Sequence, residues 1–155
     1  MSADVTSLVV VDTNVLLAAT DKSRRTHQAA TQFLNTDPRR LALTPQIVRE
    51  YLVVATRPVA ANGLGLTVTD AVTNIEEFLA DMEFLDETLA TTRHLLDLVG
   101  RGLAEGKQIH DANLVATALA HRASALVTDN QAHFLRFAGL IRLEDCGGGC
   151  GGMIR

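Results

Sequence analysis

Short, wholly apolar runs alternate along this chain with stretches of helical spacing. Leu8 to Val11 is an uninterrupted, mostly β-branched run, the pattern of a strand buried on both faces of a parallel sheet, and it is read as the first and central strand. The spacing turns helical over Asn14 to Ala19 and His27 to Leu34. Asp37-Pro38 closes the second piece, because a residue before proline avoids helical angles. Leu41 to Leu43 reads as a second strand, and Thr44-Pro45 as an N-cap with proline at the first helical position of a helix that ends at Arg57, before Pro58.

A glycine-containing loop over Ala60 to Leu66 leads to a helix capped by Thr69 or Asp70 and reaching about Met82. Glu83 to Leu85 is a weak third strand, and Thr88 to Val99 is helical until Gly100 and Gly102 interrupt it. Ile109 to about Arg122 gives the clearest helical pattern. Ala125 to Thr128, Phe134 to Phe137 and Leu140 to Leu143 read as strand, short helix and strand. Strands alternating with helices predict an α/β fold with a parallel sheet, whose ligands bind beyond the carboxyl ends of the strands, where strand order reverses.

At 155 residues, 47% hydrophobic and 21% charged, the chain suits one folded domain with a real core. The run ending at Asp12 is far too short for a signal peptide or membrane span, which points to a cytoplasmic protein without membrane contact. The net charge of −4 does not favour non-specific attraction to nucleic acid, so any such contact would depend on local basic groups or a bound metal. The two cysteines, Cys146 and Cys150, lie among glycines that oppose the fixed geometry of a structural disulfide. Residues 1–145 are read as the domain and 146–155 as a loose glycine-rich tail.

Four acids carry the candidate chemistry. Asp12 directly follows the first strand, and Asp129 repeats the arrangement after Leu126-Val127-Thr128. Each can equally be a cap or turn residue. Glu50 has Ile47 and Val54 at helical spacing, on the apolar side of its helix. A salt bridge to Arg49 or Arg57 is its plainer alternative. Asp111 lies in a first helical turn on the side of Leu114, Val115 and Ala118, where a macrodipole role is the plainer reading. Converging carboxylates repel one another unless a cation neutralises them, and an all-oxygen donor set selects magnesium or manganese over zinc. His110, beside Asp111, reads better as a surface or substrate contact than as a ligand. A cation held in this way would suit phosphodiester hydrolysis. Asn14 stands where a haloacid-dehalogenase-like phosphatase would carry a second aspartate, which lowers that reading.

The stretches Val11-Asp12-Thr13-Asn14-Val15-Leu16-Leu17, Ile47-Val48-Arg49-Glu50-Tyr51, and Gly106 to Ala116 through Leu126-Val127-Thr128-Asp129-Asn130 resemble the PIN-domain family, in particular its VapC-type toxins. The resemblance spans nearly the whole domain. It implies an α/β/α sandwich with a mainly parallel sheet and a Mg2+-dependent (or Mn2+-dependent) endoribonuclease that cuts RNA, such as tRNA or rRNA, by metal-activated water. It also implies a VapB-type antitoxin partner and a homodimer.

Residue by residue, the resemblance makes Asp12, Glu50 and Asp111 the principal acids, with Asp129 or Asn130 in the fourth position. Thr13, Asn14 and Thr128 become supporting polar residues. Lys22, Arg24 and Arg25, with His110, are candidate RNA contacts, their alternative being solvated surface. A catalytically silent RNA- or protein-binding module, and a phosphatase or DNA nuclease using the same acids, are the competing functions.

Overall fold

The structure is a computed structural model, and the description covers residues 4–147. Strand β1 (Leu8–Val11) is followed by helices α1 (Thr13–Thr20) and α2 (His27–Thr36), then by β2 (Arg40–Leu43) and α3 (Pro45–Thr56). Helix α4 (Val68–Asp81) and the short β3 (Glu83–Phe84) come next, then α5 (Leu89–Gly100), α6 (Gln108–Ala120), β4 (Ala125–Val127) and β5 (Arg142–Glu144). Two 3₁₀ segments, Val59–Ala61 and Gln131–Phe137, complete the set.

The strands form one sheet in the order β3-β2-β1-β4-β5, and every pairing is parallel. β1 is central, as its uninterrupted apolar run predicts, and Val9, Val10 and Val11 are fully buried. The first two crossovers run one way along the sheet and the crossover from β3 to β4 runs the other. Right-handed connections therefore put α1 to α4 on one face and α5 and α6 on the opposite face, giving three layers. The packing agrees: α1 contacts α2 and α3, α3 contacts α4, and α5 contacts α6. Strand order reverses at β1, which opens a crevice between the carboxyl ends of β1 and β4.

Local chemistry sets the element ends. Thr44 caps α3 by accepting the Ile47 N–H at 3.3 Å, with Pro45 at N1, and Pro58 follows the helix. Thr88 and Thr91 form a reciprocal capping box at α5. Helix α4 begins earlier than expected: its cap is Thr67, whose hydroxyl accepts the Asp70 N–H, so neither Thr69 nor Asp70 is the cap. The final strand lies at Arg142–Glu144, since Leu140 and Ile141 bond back to Phe137 in the turn that precedes it. Among the described residues no helix is long and apolar enough to cross a membrane.

Tyr51 is fully buried where α1, α3 and α4 meet. The Thr20 hydroxyl gives its proton to the Leu16 carbonyl at 2.9 Å, so in the 2.9 Å contact between Thr20 and Tyr51 the phenol must donate. The Asn74 amide donates to the same phenol at 3.0 Å. Tyr51→Phe removes both bonds and leaves Asn74 short of an acceptor, which should cost about 1–2 kcal/mol. Urea unfolding checks this, and an unchanged midpoint would contradict it.

Candidate active site

Two carboxylates and one threonine set the geometry at the crevice. Asp12 follows β1, its N–H extends the ladder to the Val127 carbonyl at 2.9 Å, and its side chain caps α1 by accepting the Thr13 N–H at 2.8 Å. The plain capping role and the placement at the sheet edge therefore hold together. The other carboxylate oxygen of Asp12 accepts the Thr128 hydroxyl at 2.8 Å. From α3, Glu50 receives the Thr13 hydroxyl at 2.8 Å on one oxygen and the Gln46 amide at 3.0 Å on the other. Neither Arg49 nor Arg57 pairs with Glu50 among the described residues; Arg49 lies 3.8 Å from Glu87.

Supporting groups extend the network on both sides. The Asn14 amide donates to the Thr128 hydroxyl at 3.2 Å, and its carbonyl accepts the Asp129 N–H at 3.2 Å. The Asn130 N–H reaches the Thr128 hydroxyl at 3.0 Å. On the opposite side the Gln46 amide also donates to the His110 carbonyl at 2.8 Å, while its own carbonyl accepts from Asn113 at 2.8 Å. Gln46 thus ties α3 to the first turn of α6, which carries Asp111. Its signal in the sequence was its place four residues before Glu50, on the same helical face. Asn113, two residues after Asp111, shows no comparable pattern.

The acids repel one another. Burial, and then the negative charges of Glu50 and Asp111, push the Asp12 carboxyl up to about 6, against the hydrogen bonds from Thr128 and Thr13. Burial also raises Asp111, and Glu50 adds to the effect, while His133, Arg136 and His110 counter it. Sequence reasoning missed His133 and Arg136, which come from the Gln131–Phe137 segment.

Asp129 and Cys146 depart from expectation. Cys146, assigned from the sequence to a loose tail, is buried, and its thiol donates to an Asp129 carboxylate oxygen at 3.0 Å. Burial and this acceptor push the thiol up to about 12, so it stays protonated and remains the donor. The Asp129 carboxylate is therefore engaged with Cys146, and the Asp129 link to the acid network runs through its backbone. Cys150 lies outside the described residues. Lys22, Arg24 and Arg25 sit in the turn between α1 and α2, where Arg24 pairs with Asp21 at 3.5 Å. They are not among the charges that most affect Asp12 or Asp111.

Among the described residues no three His, Cys, Asp or Glu side chains stand close enough to make a ready-formed metal cage. The donor chemistry nevertheless suits a hard cation. Asp12, Glu50 and Asp111 offer only oxygens, and magnesium keeps several waters and needs only one or two carboxylates.

Comparison with known proteins places the chain. A PIN domain family model matches residues 9–140, and the protein belongs to that family. No curated protein sequence matches it. The fold is shared with VapBC2 from Rickettsia felis, solved bound to a DNA fragment from its promoter (21% identity, TM-score 0.64, 89% of this chain and 98% of that one). It is also shared with DNA-bound VapBC from Salmonella typhimurium (22% identity, TM-score 0.64, covering 91% and 99%). A third match is Mycobacterium tuberculosis VapC20, described as a sarcin-ricin loop cleaving toxin (13% identity, TM-score 0.59, covering 76% and 86%).

The raised Asp12 carboxyl makes a signed prediction. It holds its proton up to about 6 in the folded chain against 3.8 for the free group, so its contribution favours folding below about pH 4 and is lost as pH rises through 6. Relative to Asp12→Asn, the metal-free protein should lose about 3 kcal/mol between those limits. Denaturant unfolding across the pH range checks this, and parallel profiles for the two proteins would contradict it.

Proposed function

We propose that this PIN-domain protein is a metal-dependent endoribonuclease and the toxin half of a toxin–antitoxin pair, acting in the cytoplasm on structured RNA such as tRNA or rRNA. The observation that carries the reading is that Asp12 and Glu50 are joined through Thr13 at the crevice, near enough to Asp111 for its charge to act on Asp12, in a fold shared with VapBC assemblies and a sarcin-ricin loop cleaving toxin. On this reading Asp12, Glu50 and Asp111 hold Mg2+ or Mn2+, with Asp129 or Asn130 at the edge. The bound cation would supply charge neutralisation at the phosphodiester and a more acidic water.

The chain's own groups do the positioning. Thr13 and Thr128 direct their donors at the carboxylates and fix where each oxygen points. Gln46 holds Glu50 and the start of α6 at one spacing. A VapB-type antitoxin would silence the site by covering the acidic crevice. Exposed apolar residues on α3 and α4, Val53, Val68 and Val72, are available to a protein partner or to a second copy of the chain.

Purified protein should cleave a mixed tRNA and rRNA pool with magnesium or manganese, stop in EDTA, and lose at least about a hundredfold in rate as Asp12→Asn. Cleavage that persists in EDTA or in the variant would overturn the reading. RNA binding without cutting would identify a silent module, and faster turnover of DNA or of phosphomonoesters would identify the other enzyme classes.

A further inference from the structure

Arg136, whose charge acts on Asp111, leaves hydrogen-bonding capacity unused among the described residues. It makes no hydrogen bond and no ion pair among the described residues, and its Nη1 is closed off from water without an acceptor. A donor sealed from water without an acceptor is costly, and the guanidinium fork, whose Nε and Nη2 are not sealed off, matches the paired oxygens of a phosphate. The group is held on the adjacent aromatic ring, with its carbon 5.8 Å from the Phe137 ring centre.

Its position follows from the helix type. The Gln131–Phe137 segment is 3₁₀, with three residues per turn, so side chains three apart eclipse one another. Asn130, at the position just before the segment, His133 and Arg136 therefore form one row. The Asn130 amide lies 3.1 Å from His133 Nδ1, which directs Nδ1 as acceptor and leaves the Nε2–H of the neutral ring as a donor. The segment packs against α6, whose first turn carries Asp111, and Arg136 supplies positive charge that Asp111 feels. In a chain of net charge −4, Arg136 puts positive charge near Asp111.

We propose that Arg136, with His133 beside it, binds a backbone phosphate of the substrate strand and seats it against the acidic site. The inference rests on the ribonuclease reading for the identity of that strand. It assigns the electrostatic attraction for RNA to the 3₁₀ segment, whereas the sequence had pointed to Lys22, Arg24 and Arg25.

The test uses the full chain carrying Asp12→Asn, so that RNA is bound without being cut, and reads the affinity for a fluorescent single-stranded RNA in magnesium buffer at several salt concentrations. Arg136→Ala should weaken binding by about tenfold and lower the slope of log affinity against log salt by about 0.7, the value for one phosphate contact on a single strand. Arg136→Lys keeps the charge and the stem but loses the fork, and should recover only part of the affinity. Lys serves as the reporting variant if Ala proves unstable by circular dichroism.

Binding that is unchanged in both variants overturns the proposal and leaves the ribonuclease reading intact. Arg136-dependent binding without metal-dependent cutting by the wild-type chain upholds the phosphate contact and overturns the ribonuclease reading. Absence of RNA binding overturns both.

Discussion

Thr13 holds the site together. Its backbone N–H bonds one oxygen of Asp12 and its hydroxyl bonds one oxygen of Glu50, each at 2.8 Å, although the two acids come from different elements and lie far apart in the chain. Two like charges would otherwise drift apart or take up protons. A residue with two donors, at the first position of α1, can hold both only because β1 delivers it to the sheet edge in a fixed orientation. Net of its hydrogen bonds, holding the Asp12 carboxylate ionised there costs about 3 kcal/mol. The three fully buried valines before it each contribute roughly 1.5–3 kcal/mol, so β1 offsets the strain of the group it presents.

Much of this could be read from the sequence because few alternatives satisfy the patterns. An apolar run such as Leu8–Val11 suits only a doubly covered strand, and Thr44-Pro45 and Arg57-Pro58 bound α3 by backbone sterics alone. Glu50 and Asp111 stood out because a carboxylate on an apolar helix face needs a reason to be there, and Asp12 because it directly follows the most buried strand. Thr13, Asn14 and Thr128 were expected from the family resemblance, and the hydrogen bonds give each a physical task.

The rest was hidden for identifiable reasons. Gln46 and Asn113 are neutral polar residues, and the bonds that join α3 to α6 through them span more than 60 residues of chain; only the Gln46 spacing to Glu50 is local. His133 lies just before, and Arg136 within, the Phe134 to Phe137 stretch read as a short helix, and nothing local shows that either acts on Asp111, which comes from another element. Cys146 opens a glycine run that reads as loose chain, yet its side chain is buried against Asp129. That contact bears on the site, because it draws the Asp129 carboxylate toward the chain end while the Asp129 N–H stays on Asn14.

On the proposed reading, neutral donors hold Asp12 and Glu50 in readiness for a divalent cation. Calorimetric titration of Mn2+ into the wild-type chain and into Thr13→Val tests it most directly, since valine keeps the backbone N–H and the shape but deletes the hydroxyl that holds Glu50. A single class of site is expected in the wild type and an affinity about tenfold or more weaker in Thr13→Val, with the fold intact by circular dichroism. Equal affinity in the two proteins would contradict it.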